Sequence, residues 1–395
     1  MSDFRSTQKI INKFTGFSEL LGYAFMVNNQ VVMLKDASLQ ALFTYYGDDV
    51  QAITDDMRFS LANRWSGALT RFFGENVIVE MDLCRKQVSK YSDAIAFPDR
   101  VSALIDQERA WQFRDSGDLF ETHLVLSITW REGKQLSTAS KKFMYDSDDA
   151  IEDRSIEDLL RDFESRLGSF ISFVGSNKFE RLTGDGITSF LDHCIAGQNR
   201  RIACPTPRTE LDAYLSKADW IAGQEPRLGD KHIMVLTVED FPGYMESMIL
   251  DGLNSLPIAF RYHLRFVRLS KRQAEGELKR AKRSWSSKAI GLKGVVVQAF
   301  GGQAKLNDVF EQRRIESEQA IAENEDAQVS YGLITGSFVL MDQNRKRLLE
   351  HAMDIKAHVE NLGFTLRIER VNAADAYLGS FPGHGESNLR MLTID

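Results

Sequence analysis

The chain has 395 residues, 43% of them hydrophobic and 27% charged, which is enough apolar material for two or three folding units with real cores. A formal net charge of −7 excludes a uniformly basic nucleic-acid coat protein and leaves room only for a local basic patch. Three cysteines, Cys84, Cys194 and Cys204, with no CxxC pair, exclude a disulfide framework and fit reduced thiols in a cytoplasmic compartment. Residues 1–16 lack the apolar run of a signal peptide, and no stretch reaches the ~18–20 apolar residues of a membrane span. Any membrane association is therefore expected through a partner or a surface contact.

Residues 22–27 and 31–34 are two apolar runs around Asn28-Asn29-Gln30, a hairpin signal. A strand is predicted over 39–45. From Thr54 to Phe73 the spacing turns helical, with Met57, Leu61, Trp65, Leu69 and Phe72 on one face and Asp55 and Asp56 near the positive end. Strand 77–84 alternates Val77, Val79, Met81 and Leu83 against Ile78, Glu80, Asp82 and Cys84. Pro98-Asp99 opens a helix, 123–130 is a strand, and a charged loop over 131–153 leads into an amphipathic helix over 156–173. Pro205, Pro207 and Pro226 mark 201–228 as a linker. Beyond it come strands over 233–238 and 262–269 and a long polar stretch, 270–326, broken near 291–302 and read as a helical hairpin. Strand 329–340, helix 344–362 and strand 364–370 then look like half of a ferredoxin-like fold. The fold class is α+β. Two α/β subdomains with mixed or antiparallel sheets, 1–200 and 229–395, carry a protruding charged hairpin at about 270–326.

Chemistry has no visible home. The phosphate-holding GxxxxGK[ST] is absent from all 395 residues, and no GxGxxG opens a helix after a strand. His193, Cys194 and Cys204 form the one His/Cys cluster in the sequence and lack a second pair at metal-ligand spacing. His351 and His358 share a face of a predicted helix that reads as solvated. There is no GxSxG elbow. The carboxylate pairs Asp48-Asp49, Asp55-Asp56 and Asp148-Asp149 are adjacent, so they read as caps and turns. The strongest charge feature is the segment 261–293, with eleven Lys/Arg and two acids, which sums to +9 and leaves −16 for the rest. Either it is one arm of a hairpin, paired with the acidic arm that contains Glu311, Glu316, Glu318, Glu323, Glu325 and Asp326, or it touches phosphate directly.

Several pieces together resemble the conjugative type IV secretion ATPases of the VirB/TrbE/CagE type. Leu20-Leu21-Gly22-Tyr23 with Val31–Ser38 is similar to that family's opening, where Lys-Asp-Gly-Ser is usual and Ala37 here replaces the glycine. Phe97-Pro98-Asp99, Ile105–Arg109 and Leu119–Trp130 resemble its next stretches. Leu362-Gly363-Phe364, Tyr377–Ser380 and Phe381–His384 match a Leu-Gly-Ser-Leu-Pro-Gly-His pattern, with Phe381 in place of leucine. The charged stretch 270–326 sits where the family places a hairpin.

The resemblance implies an N-terminal docking and oligomerisation portion of a motor at the cytoplasmic face of the bacterial inner membrane. Its partners would be inner-membrane secretion components, further copies (a hexamer in the full-length family) and its own RecA-like ATPase domain. ATP and magnesium are expected for that domain, whose motifs have no positions here, so no catalytic, cofactor or metal residue is carried over. The chain alone is expected to be inactive, either as a truncated piece or as the first half of a longer protein. Expected partner contacts are Arg268, Lys271, Arg272, Lys279, Arg280, Lys282, Arg283 and Trp285. Phe381, Pro382, Gly383 and His384 are expected to form an elbow that orients the motor. The alternative is a nucleic-acid-binding adaptor that works through the basic arm 261–293.

Overall fold

The computed structural model describes residues 16–48, 53–74, 77–88, 91, 97–115, 119–131, 156–207, 209–242, 248–269, 271–280, 283, 332–384 and 392–394. A short helix, α1 (Phe17–Leu20), enters the hairpin of β1 (Tyr23–Met26) and β2 (Val32–Leu34). The hairpin closes because Asn28 Oδ1 accepts from the Gln30 and Val31 amides, a side chain standing in for a backbone turn partner. Next come β3 (Leu39–Tyr45) and α2 (Asp55–Phe73), which Thr54 caps through the Met57 amide. After β4 (Val77–Gln87), Asp99 takes the Val101 and Ser102 amides and starts α3 (Arg100–Asp115). Then follow β5 (Phe120–Trp130), α4 (Ile156–Val174), β6 (Phe179–Arg181) and α5 (Asp185–Ala196). The proline-bearing segment contributes α6 (Leu211–Leu215), β7 (Trp220–Ile221) and β8 (Arg227–Leu228).

The rest is β9 (Lys231–Asp240), β10 (Phe260–Arg268), a helix α7 over 271–280, β11 (Gly332–Asp342), α8 (Arg345–Glu360), β12 (Thr365–Ile368), α9 (Ala373–Leu378) and β13 (Leu392–Ile394). Among the described residues every strand pairing is antiparallel, in the order β1-β2-β3-β5-β4-β10-β11-β9-β8-β7. Strands β6, β12 and β13 attach to β3, β9 and β11. The sheet runs unbroken from the first half of the chain into the second, because β4 pairs with β10 from Phe260↔Arg85 to Val267↔Ile78. Strand β9 lies between β11 and β12, so β11–α8–β12 is the split βαβ unit expected of a ferredoxin-like half.

Strand alternation sends one set of side chains to each face. On one face α2 and α4 bury Leu69, Phe73, Phe163 and Phe170 against β3 and β5, while α8 buries Leu348, Ile355 and Val359 against β9 and β11. On the other face α5, α6 and α9 pack over Leu42, Val125, Val235 and Val339. Both faces are covered, so Val125, Ser127 and Thr129 of β5 are buried as well as Leu126 and Ile128, which alternate with them.

Helices α5 and α9 are absent from the sequence expectation, although Ile187, Phe190, Leu191, Cys194 and Ile195 do repeat at helical spacing. The charged loop expected over 131–153 lies outside the described residues beyond Arg131. The second arm of the expected hairpin lies outside them entirely, with Glu311 through Asp326.

Candidate functional site

Strands β4 and β10 lie side by side at the middle of the sheet, and on the face under α5 and α9 their alternation presents charges instead of apolar side chains. The register sets His263 opposite Asp82 and Arg265 opposite Glu80, and Arg261 is the next residue on that face. All five side chains are buried. Buried charges persist only when paired and hydrogen-bonded, so their partners define the site.

The partners come from the other end of the chain. Arg261 donates to Asp82 Oδ1 (2.6 Å), to the Ser380 carbonyl (2.6 Å) and to Ser380 Oγ (2.7 Å). Arg265 donates to the His384 carbonyl (2.9 Å). The Gly383 amide donates to Glu80 Oε2 (2.7 Å), and His263 Nδ1 donates to Asp82 Oδ1 (3.0 Å). Residues 379–384 thus form a turn seated on a charged floor.

The opening of the chain clamps the same turn. Gly22 donates its amide to His384 Nε2 (2.6 Å), which makes that imidazole nitrogen an acceptor and the ring neutral. Tyr23 donates its hydroxyl to the Pro382 carbonyl (2.9 Å), and the Lys35 amide donates to the Gly22 carbonyl (2.8 Å). A run of rings walls the seat: Phe17 stacks on Trp220, Trp220 on Tyr377, Tyr377 meets Phe381 edge-on, and His384 fits between Phe381 and Tyr23, with centroids 4.8–5.4 Å apart.

Two glycines are required by geometry. Gly383 has φ +86°, and a Cβ there would sit 2.8 Å from Leu34 Cδ1 and 3.0 Å from Gln40 Nε2. A Cβ on Gly22 would stand 2.9 Å from His384 Nε2. Ala37 follows the opposite course. It holds φ +70°, the left-handed region that favours glycine, and carries a side chain there all the same.

Burial pushes the Glu80 carboxyl up to about 8, although Arg265 and the Gly383 amide pull against it. Asp82 feels the same upward push, yet His263 and Arg261 hold it below its ordinary value. Burial, with the charge of Lys35 and Arg265 added, lowers His384 to about 3. His193, half-buried on α5, is lowered to about 4 by desolvation and by the charge of Arg261. Burial raises the Cys84 thiol to about 12 and lifts Cys194 well above its ordinary value, so neither is a reactive thiolate.

The elbow residues Phe381, Pro382, Gly383 and His384 are therefore brought together with the Leu20–Tyr23 opening, and all four are buried. The basic contact residues are not gathered here. Arg268 ends β10, and Lys271, Arg272, Lys279, Arg280 and Arg283 are exposed. Lys279 pairs with Glu275 and Arg280 with Glu277, on their own helix. Lys282 and Trp285 lie outside the described residues. Arg261 and Arg265, two of the eleven charges in the basic segment, are internal and unavailable to a phosphate. Sequence reasoning missed Glu80, Asp82, Arg261, His263 and Arg265 as a set. The available signal was alternation of charge with apolar residues in two separate strands.

Long stretches of the chain match known proteins. Residues 30–137 match the N-terminal domain of the type IV secretion system ATPase VirB4/TrbE, and residues 176–298 and 303–390 match the CagE, TrbE, VirB family, component of type IV transporter system. The chain is 29% identical over 399 aligned positions to a conjugal transfer protein TrbE of Rhizobium radiobacter, which covers 96% of the chain and 48% of that protein. Sinorhizobium fredii carries a probable conjugal transfer protein TrbE in two pieces. The chain is 31% identical to the second piece over 212 positions, which cover 53% of the chain and 31% of that piece. It is 32% identical to the first piece over 128 positions, which cover 32% of the chain and 85% of that piece. The chain spans about half the length of the Rhizobium relative. With that family's model matching more than half of its residues, the chain belongs to the CagE, TrbE, VirB family of type IV transporter components.

Proposed function

We propose that this chain is the N-terminal docking and oligomerisation portion of a type IV secretion ATPase, which powers assembly of the machine or transport of DNA or protein. It would anchor the motor at the cytoplasmic face of the inner-membrane complex and contact membrane components, further copies of itself and its motor domain. ATP and magnesium would bind in that motor domain. The observation that carries this reading is the seat: residues 379–384 are held by Arg261 and Arg265 of β10 and by the Gly22 amide, so whatever follows them in a longer protein starts from a fixed direction. Among the described residues no helix is long and apolar enough to cross a membrane, which suits attachment through partners.

The test is fractionation of cells that express the chain with or without the matching conjugation machinery. Recovery in the inner-membrane fraction, in multiples of itself and only when the machinery is present, is the expected result. Equal distribution in both cells would remove the docking reading.

The adaptor alternative rests on the exposed Lys271, Arg272, Lys279, Arg280 and Arg283. Phosphate-driven binding should weaken steeply between about 50 and about 200 mM salt. No DNA retention at the lower salt would eliminate it.

A further inference from the structure

On the face that carries α2, α4 and α8, the helical layer has a break one helix wide. Helices α2 and α4 cover β3 and β5, and α8 covers β9 and β11, while β4 and β10 run between them. Two strands at about 4.8 Å spacing span about 10 Å, the diameter of a helix. On β4 and β10 the side chains turned to the other face, from Ile78 to Cys84 and from Arg261 to Arg265, are buried, whereas Val79, Met81, Leu264 and Phe266 are only half-buried. With Trp65 and Leu69 of α2 these four line an open apolar trough of about 340 Å³.

Helix α3 is spare in the complementary sense. Among the described α-helices it alone buries no side chain. Its inner side rests on Tyr91, whose hydroxyl donates to Asp106 (2.8 Å) and whose ring meets Phe113 edge-on. The opposite side turns Val101, Leu104, Ile105 and Trp111 to solvent at helical spacing, each 49–66% exposed. A helix of 16 residues is marginal in water without packing, so this stripe calls for a cover.

We infer that two copies of this chain exchange α3, each helix lying in the other copy's trough. No residue of α3 lines the trough of its own chain, and the Tyr91 contacts hold the helix where it stands. The area decides that the exchange is mutual. At about 100 Å² for each large apolar side chain taken from water, and as much again from the trough, one seated helix buries roughly 800 Å², no more than a packing contact. Two reciprocal contacts bury roughly 1,600 Å², the size of a stable interface, and they close on a two-fold axis. A lipid surface fits the stripe less well. Arg100, Arg109 and Arg114 are balanced by Asp106, Glu108 and Asp115, and Glu108 interrupts the apolar side, so α3 lacks the cationic flanks of a helix that lies on anionic lipid. The exchange rests on the oligomerisation part of the proposed function and names the surface that performs it.

The experiment is sedimentation of the full chain over a range of concentrations. The native chain should form dimers, and Trp111→Glu, at an exposed site where circular dichroism should report an intact fold, should weaken them. A two-fold contact loses the tryptophan twice, so a tenfold cost at each site compounds to about 100-fold in Kd. Leu264→Glu in the trough should act in the same direction. Should that variant fail to fold, an Ile105→Cys, Leu264→Cys double variant decides, since oxidation should join two chains into a covalent dimer. A native dimer that Trp111→Glu leaves unchanged would overturn the exchange and leave oligomerisation to another surface. A native chain that stays monomeric at every concentration would overturn both. A link formed within one chain would show α3 closing on its own trough. Binding to lipid vesicles that Trp111→Glu abolishes, with no dimer, would assign the stripe to lipid. Either of these last two results would sink the exchange.

Discussion

At the residue scale the Pro-Gly-His motif has a separate reason for each member. The Pro382 carbonyl accepts from Tyr23, the Gly383 backbone is left-handed against a close wall, and His384 offers Nε2 to Gly22. Gly383→Ala should therefore destabilise the chain by about 2–4 kcal/mol, combining left-handed strain with the Leu34 and Gln40 contacts, as read by urea denaturation. Ala37→Gly should differ from it sharply. Relief of strain at φ +70° is offset by a lost buried methyl and a freer unfolded chain, so a change within about 1 kcal/mol is expected in the same assay.

At the element scale the pairing of β4 with β10 concentrates charge where most sheets concentrate hydrocarbon. Asp82→Ala would leave Arg261 and His263 buried without their shared acceptor, and a loss of about 3–5 kcal/mol is expected. Combining it with Arg261→Ala should cost less than the sum of the two single changes, a coupling that a double-mutant cycle measures. Acid should weaken the same elements. His384 and His193 have folded values of about 3 and about 4, both below their ordinary value, so the stability they contribute is complete above about pH 6.5. It declines as pH falls toward 4, by up to about 1.4 kcal/mol per pH unit for each group. Thermal melts from pH 7 to 4 check this, and His384→Gln should make the slope shallower.

At the scale of the whole molecule the two chain ends and the sheet centre form one structural unit. Ending the chain at residue 378 would strip Arg265 and Glu80 of their hydrogen-bond partners, leave Arg261 with Asp82 alone, and remove β13 from β11. The expected result is a loss of about 5 kcal/mol or more, felt across β4, β10 and β11 in hydrogen exchange and not only at the new end.

Local signals in the sequence determined most of the elements. The Asn28 turn, the Thr54 and Asp99 caps, and the apolar periodicity of α2, α4 and α8 depend only on residues a few positions apart, and they fixed the α+β class. Motif order along the chain was likewise enough to point to the family. The seat was not legible in this way. Glu80 and Arg265 read as ordinary polar positions of two half-buried strands, and Arg261 and Arg265 read as members of a basic arm. Only the pairing of β4 with β10, across about 180 residues of chain, makes them neighbours. Only the return of the 379–384 turn to Gly22 and Tyr23 buries them. Burial and long-range pairing are properties of the tertiary structure, and they changed these charges from surface decoration into the device that joins the ends of the chain.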